Sequence, residues 1–240
     1  MTLEHRTSHE TIPQSITSQE LFDIGRVDEA LRDLLSPAAP WQILAKLDAF
    51  LSDLADERCE ANIHPSAVIE GPIYMAKGVK IKAHAYIEGP AWLGEGAEIG
   101  HGAYLRGGVI LGSKAKVGHS SEVKHALLLS GAQAPHFNYV GDSILGAKVN
   151  IGAGVKLANF HTFGQAIKVE QIPTGLRKFS AAIGDDVSIG CNAVLAPGTI
   201  IGRGTVVYNG AMLRGIYPAH SVVKLRSQLE VVEKLSEKGS

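Results

Sequence analysis

Large aliphatic residues recur at every sixth position from Ile63 through Ile69, Met75, Ile81 and Ile87 to Leu129, with no position missed. An α-helix repeats every ~3.6 residues and a half-buried strand every two, so neither gives this period. A hexapeptide repeat does: each hexad supplies one short parallel strand and a corner, and three hexads close a triangular coil. Residues eighteen apart then lie above one another. Counting the aliphatic as first, the fifth position is small or aliphatic (Ala67, Val79, Ala85, Ala97, Ala103), as a crowded inward corner requires. The expected fold is all-β, a left-handed parallel β-helix.

The frame slips where Pro135 takes an aliphatic slot, and the series resumes at Leu145, Ile151 and Leu157. A second break, 159–182, is too long for a corner and reads as a protruding loop or hairpin. The repeat returns at Ile183, Ile189, Leu195, Ile201, Val207 and Leu213, and Tyr217-Pro218 ends it. Ahead of the coil, Leu21, Ile24, Val27, Leu31 and Leu34 follow helical spacing. A second helix is expected from Pro40, a favourable first-turn residue, with Ile43, Leu44, Leu47, Phe50, Leu51 and Leu54 as its apolar stripe. These helices are expected to cap the open end of the solenoid or to pack on a neighbouring subunit. The resulting partition is a disordered tail over 1–16, a helical segment over 17–57, the β-helix over 58–222 and a C-terminal helix over 223–240, carried by Leu229, Val232 and Leu235. Repeat proteins depart from pattern where function intrudes, which makes both breaks candidate sites.

The formal net charge is -1 over 240 residues. Such a balance gives no reason to expect nucleic acid or a membrane surface as partner. Cys59 and Cys191 are too far apart to suggest a disulfide framework or metal motif, so a reducing compartment is the simple reading. With no apolar leader and no long apolar run, the expected location is cytoplasmic. Cys191 reads as a small corner residue rather than a nucleophile.

Arg106 and Lys124 lie eighteen apart in outward positions and should stack about 4.8 Å apart in adjacent coils. Like charges so placed repel. Either an anion such as phosphate neutralises both, or Glu88, eighteen before Arg106, extends the column into a salt-bridge ladder. His136 sits in the first frame slip, where its side chain need not serve the core, and is a candidate acid–base residue. Glu122, on the coil before it, is placed to orient the imidazole. His84, His119 and His125 resemble the ligands of zinc-binding γ-class carbonic anhydrases only loosely. Five residues separate the last two where those enzymes have four, so no metal is expected. His101 and His119 form a surface ladder.

The order Arg106, Glu122, Lys124, His136, Tyr139, Asn150, Asn159, with Ala134-Pro-His-Phe-Asn-Tyr-Val-Gly-Asp142 and Val149-Asn-Ile-Gly-Ala-Gly154, resembles the acetyltransferase half of the bifunctional glucosamine-1-phosphate acetyltransferase/N-acetylglucosamine-1-phosphate uridyltransferase family. Pro40-Trp41 and an insertion ending in Thr174-Gly-Leu-Arg-Lys178 are similar to its archaeal-type sugar-1-phosphate nucleotidylyltransferase branch. The resemblance covers about residues 40–222. It implies a trimer with sites at subunit interfaces, acetyl-CoA as cosubstrate and an amino-sugar 1-phosphate as acceptor. By position, His136 would be the general base and Glu122 its orienting carboxylate. Arg106, Lys124 and Lys178 would hold the phosphate, while Tyr139, Asn150 and Asn159 would bind the sugar. Ala153, Cys191, Tyr208 and Asn209 would lie on the coenzyme side. Three departures stand out. Residues 1–60 are too few for the nucleotidyltransferase half, so a separate nucleotidyltransferase is a conceivable partner and a non-catalytic trimeric scaffold an alternative function. Asn159-Phe160-His161-Thr162 replaces an Asn-Tyr-Asp-Gly-like turn, and Tyr208-Asn209 replaces small residues near the coenzyme thiol.

Overall fold

The computed structural model describes residues 17–52, 54–226 and 229–232. The tail expected to be disordered, residues 1–16, lies outside them. Every strand pairing within the coil is parallel, and nine strands stack on one face of the prism, from Asn62–Ile63 to Val222–Val223. The other two faces merge into one sheet because strands Glu122–Leu128 and Tyr139–Leu145 run around a corner without a break. Inside the prism the hexad aliphatics stack as expected: Ile81, Ile87, Leu93, Ile99 and Leu105 are buried, with Ala85, Ala97 and Ala103 filling the corners. Packing of this kind, at about 1.5–3 kcal/mol for each fully buried aliphatic, holds the short strands together.

The slip falls elsewhere than the pattern predicts. Leu111 pairs with Leu128, not Leu129, and Val117 with Ala134 rather than Pro135. Val123 then pairs with Val140, and Leu128 with Leu145. The steps from Val123 to Leu128 and from Val140 to Leu145 are therefore five residues long, and two coils are one residue short. The displaced Leu129 is still buried, but outside the prism, beneath the N-terminal segment. The second break is a hairpin, Lys168–Val169 against Ile172–Pro173, and the coil re-enters at Ala181–Ile183. Tyr217-Pro218 does not end the solenoid: Val222–Val223 adds a last strand on Val206–Val207.

The N-terminal segment does not cap the open end. It lies along the flank, where Leu21, Leu31, Leu44 and Leu47 join Ile110, Leu127, Ile144, Phe179 and Ala182 on the outer side of the coil in a second buried cluster. Helix α1 is only Ser18–Leu21, closed by a Thr17–Glu20 capping box. Beyond it the expected helix breaks into 3₁₀ turns at Ile24–Arg26 and Glu29–Leu35. Tertiary anchors override helical spacing here: Asp23 folds back on the Gly25 N–H, and Asp28 accepts from the Ser113 N–H at 2.8 Å and the Ser130 hydroxyl at 3.2 Å. Pro40 does open the second helix, through a 3₁₀ turn leading into α2, Ile43–Ser52, which buries Ile43, Leu44, Leu47 and Leu51. At the far end, Leu229 and Val232 are exposed and lie in no helix, and Leu235 is outside the described residues. No helix among the described residues is long and apolar enough to cross a membrane.

Candidate active site

Arg106, Glu122, Lys124 and Tyr139 share one face of the prism, while His136 and Asn150 lie on the nine-stranded face beside it. The outward positions of the former form two columns: Tyr86, Tyr104, Glu122 and Tyr139 in the first, Glu70, Glu88 and Arg106 in the second. Val123 pairs with Leu105, so Lys124 continues the second column next to Arg106 and faces Gly141 on its other side. The salt-bridge ladder is not formed. Glu88 accepts from the Tyr104 hydroxyl at 2.7 Å, and Arg106 reaches sideways to Glu122 Oε1 at 2.7 Å. The same ion pair corrects a second expectation: within the chain, the Glu122 carboxylate is held by Arg106 and makes no hydrogen bond to His136.

Lys178 arrives from the inserted loop. Phe160 bridges to Lys178, and the Phe179 N–H donates to the Asn159 carbonyl at 3.1 Å, so the loop closes on its own base. That closure brings Lys178 close enough to Lys124 to matter electrostatically. Burial first, then the Lys178 ammonium, lowers the Lys124 pKa, with Asp142 opposing and Arg106 adding to the repulsion. Three cations thus converge where Glu88, Glu122 and Asp142 are the nearby carboxylates, and all three are already engaged.

Asp142 is buried and bonded on two sides: His125 Nδ1 lies 2.9 Å from Oδ1, and Asn159 Nδ2 donates to Oδ2 at 2.5 Å. Burial pushes the carboxyl up, but the His125 and Asn159 bonds outweigh it and hold the pKa below its ordinary value. The bond to Asp142 correspondingly raises that of His125. Beside them the missing side chain of Gly141 leaves room for two neighbours. A Cβ there would stand 2.7 Å from the Tyr139 hydroxyl oxygen and 2.8 Å from Asn159 Nδ2, so Tyr139 and Asn159 occupy the space above it.

His136 is exposed at an adjoining corner, and its imidazole makes no hydrogen bond among the described residues. Its backbone is fixed instead. The buried Asn138 accepts from the His136 N–H at 2.9 Å and donates to the Gly152 carbonyl at 2.7 Å. The coenzyme-side candidates follow down the same corner: Gly154 N–H bonds the His136 carbonyl, Asn192 N–H the Ala153 carbonyl, and Asn209 Oδ1 accepts from the Cys191 N–H at 2.9 Å. Cys191 is exposed. Tyr208 and Asn209 line an open groove of about 420 Å³ with Val207 and Leu225. Asn150 is exposed on the strand beside Gln133. A larger groove, about 740 Å³, lies between the inserted hairpin and Arg214, and none of the expected site residues lines it.

Asp142, Gly141 and Asn138 were not singled out by sequence, and His125 only as a poor zinc ligand. The signal was present but obscured: His125 and Asp142 each stand two residues beyond a core aliphatic, on the two five-residue steps.

A model of the GMPPB C-terminal domain matches residues 87–174, and one of the six-repeat bacterial transferase hexapeptide matches 180–215. The bifunctional sugar-1-phosphate nucleotidylyltransferase/acetyltransferase of Sulfurisphaera tokodaii is 37% identical over 178 residues, which is 72% of this chain and 44% of that protein. The bifunctional protein GlmU of Methanococcus maripaludis is 38% identical over 198 residues, 81% of this chain and 48% of that protein. The chain is a homologue of the hexapeptide-repeat part of these bifunctional proteins. It spans less than half of their length. Among solved structures, the acetyltransferase domain of PglB from Neisseria gonorrhoeae, in complex with acetyl coenzyme A, shares 18% identity over 75% of this chain and 60% of that chain with a TM-score of 0.33. That likeness is too loose to bear on the chemistry.

Proposed function

We propose that the chain is an N-acetyltransferase that moves acetyl from acetyl-CoA to the amine of an amino-sugar 1-phosphate such as glucosamine 1-phosphate, working as a trimer. The observation that carries this reading is the cluster of Arg106, Lys124 and Lys178, in which burial first and the neighbouring cations second lower the Lys124 pKa. A dianionic phosphate relieves the repulsion among them, and charge-assisted bonds to it are the strong kind. Tyr139 and Asn159, packed over Gly141, then meet the sugar ring. The free amine attacks the thioester carbonyl. His136 accepts the ammonium proton as the C–N bond forms, backbone N–H groups at the corner hold the oxyanion, and the thiolate of coenzyme A leaves and is protonated. Ala153, Cys191, Tyr208 and Asn209 line the side from which the thioester approaches, and Asn150 contacts the sugar. Each site draws on two subunits, which accounts for the exposed His136 and Phe137 within one chain. The names of the relatives support the reaction class.

A second reading is a non-catalytic trimeric scaffold for a separate nucleotidyltransferase, favoured by the bulk of Tyr208 and Asn209. A thiol-release assay with acetyl-CoA against amino sugars, each with and without the 1-phosphate, separates the two. Turnover that requires both amine and phosphate supports the first reading. Absence of turnover, together with no calorimetric heat from millimolar acetyl-CoA, favours the second.

A further inference from the structure

We propose that His125 and Asp142 are positioning residues for the sugar-phosphate face: an imidazolium clamped between Asp48 and Asp142 fixes the Asp142 carboxylate, which aims the Asn159 amide and steadies Lys124. The proposal rests on the function just argued and deepens it.

Four observations carry it. First, the backbone. The corner between these two faces takes left-handed conformations in successive coils, with Gly107 at φ 62°, His125 at 44° and Asp142 at 45°. The same left-handed turn recurs at other non-glycine corners, such as His84, Lys114, Lys148 and Asp186; here it sets His125 and Asp142 at the same corner of adjacent coils. Second, the contacts run without a gap from the flank to the site. His125 Nε2 lies 3.3 Å from Asp48 Oδ1 on α2, an ion-pair distance without hydrogen-bond alignment. Nδ1 lies 2.9 Å from Asp142, which holds Asn159 at 2.5 Å. Third, burial: the side chains of His125 and Asp142 are 23% and 6% exposed, so water screens their interaction poorly. Fourth, Asp142 is the carboxylate that offsets Lys124 against Lys178.

The groups facing His125 are Asp48 and the Leu44 carbonyl from α2, Asp142 from the next coil, Gly108 from the previous one and its chain neighbour Lys124. Two carboxylates and a carbonyl favour the charged ring. The clamp therefore works in the opposite sense to the base. His136 must be neutral to accept a proton, whereas His125 must be charged to present an N–H to both Asp142 and Asp48, since the neutral ring carries only one. Raising the pH through the His125 pKa should loosen Asn159 and raise KM for the sugar phosphate while kcat holds.

The test uses the full chain. NMR titration should show the His125 ring and the Asn159 side-chain amide moving with one midpoint above the ordinary imidazole value of 6.5. Asp48→Asn, on an exposed helix position, should lower that midpoint for both. An Asn159 amide that ignores the His125 titration overturns the proposal, whatever the substrate proves to be. In steady-state assays with glucosamine 1-phosphate and acetyl-CoA, His125→Gln should raise KM about tenfold, the scale of one charge-assisted contact, and flatten its dependence on pH. An unchanged KM and pH profile also overturns it. A wild-type chain that transfers no acetyl removes the proposed function, while the amide titration still decides the clamp.

Discussion

The coils from Ile63 to Leu105 and those from Val123 to Leu157 are built from the same hexad, yet the second group is one residue shorter per turn. In the long coils, outward side chains stack on their own kind. Tyr86 meets Tyr104 edge-on at 5.5 Å, and the imidazoles of His101 and His119 stack at 5.3 Å. Polar groups there pair within the ladder, as Tyr104 does with Glu88. In the short coils the corner is pulled in. Groups that do not repeat then face one another: His125 meets Asp142, Lys178 of the insertion approaches Lys124, and Gly141 makes room for Tyr139 and Asn159. A regular repeat uses its outward positions to repeat itself. Losing one residue per coil brings together a set of groups the repeat alone would keep apart.

If that contrast is correct, substitutions in the two regions should fail in different ways. The largest effect belongs to His136→Ala. A general base contributes about 10²–10⁴ in rate, so kcat should drop by that order with KM and oligomer mass unchanged. Full acetyl transfer by the variant would remove His136 from the mechanism. In the long coils, Ile87→Ala should do the reverse. It leaves a cavity worth about 2–5 kcal/mol in denaturant unfolding and leaves KM for the sugar phosphate where it was, since Ile87 is fully buried in the prism.

Lys124→Ala or Arg106→Ala should raise KM for the 1-phosphate by roughly 1.5–3 kcal/mol in binding terms and erase discrimination against the unphosphorylated amine. Wild-type discrimination in both variants would leave the cations as surface charge. Gly141→Ala should act on the same step more weakly, by displacing Tyr139 and Asn159. A KM rise with kcat preserved, set against a silent Gly96→Ala control for acceptor affinity, checks it.

The smallest effect is on stability against pH. The folded-state pKa of His125 is raised, so the stabilisation its pairing provides is complete below about 6.5 and is lost as pH climbs through the folded value. Asp142, held low, contributes above its unfolded pKa and loses its part as pH falls through the folded one. Calorimetry should therefore show Tm declining on the alkaline side in the wild type, by about 2–4 °C for each kcal/mol lost, and a flatter profile in His125→Gln.

The solenoid, its inward ladder and the inserted hairpin were legible in the sequence, because burial of one side chain per hexad is a local property that repeats. So were the three clustered cations, Arg106, Lys124 and Lys178, since two follow from the period and the third from the resemblance. The sequence could not say which of Leu128 and Leu129, or of Ala134 and Pro135, enters the prism. Both members of the first pair are aliphatic, and two steps of this coil close with five residues instead of six. Packing against a remote segment decided it: Leu129 is buried with Leu21, Leu31 and Leu44 on the flank. That choice moved His125 and Asp142 onto facing corners. Only the tertiary structure also assigned Glu122 to Arg106, laid the N-terminal segment along the side of the coil, and returned Lys178 to Lys124. Periodicity reports which residues are inside. Which outward groups meet depends on the length of each turn, and that was set by contacts far away in the chain.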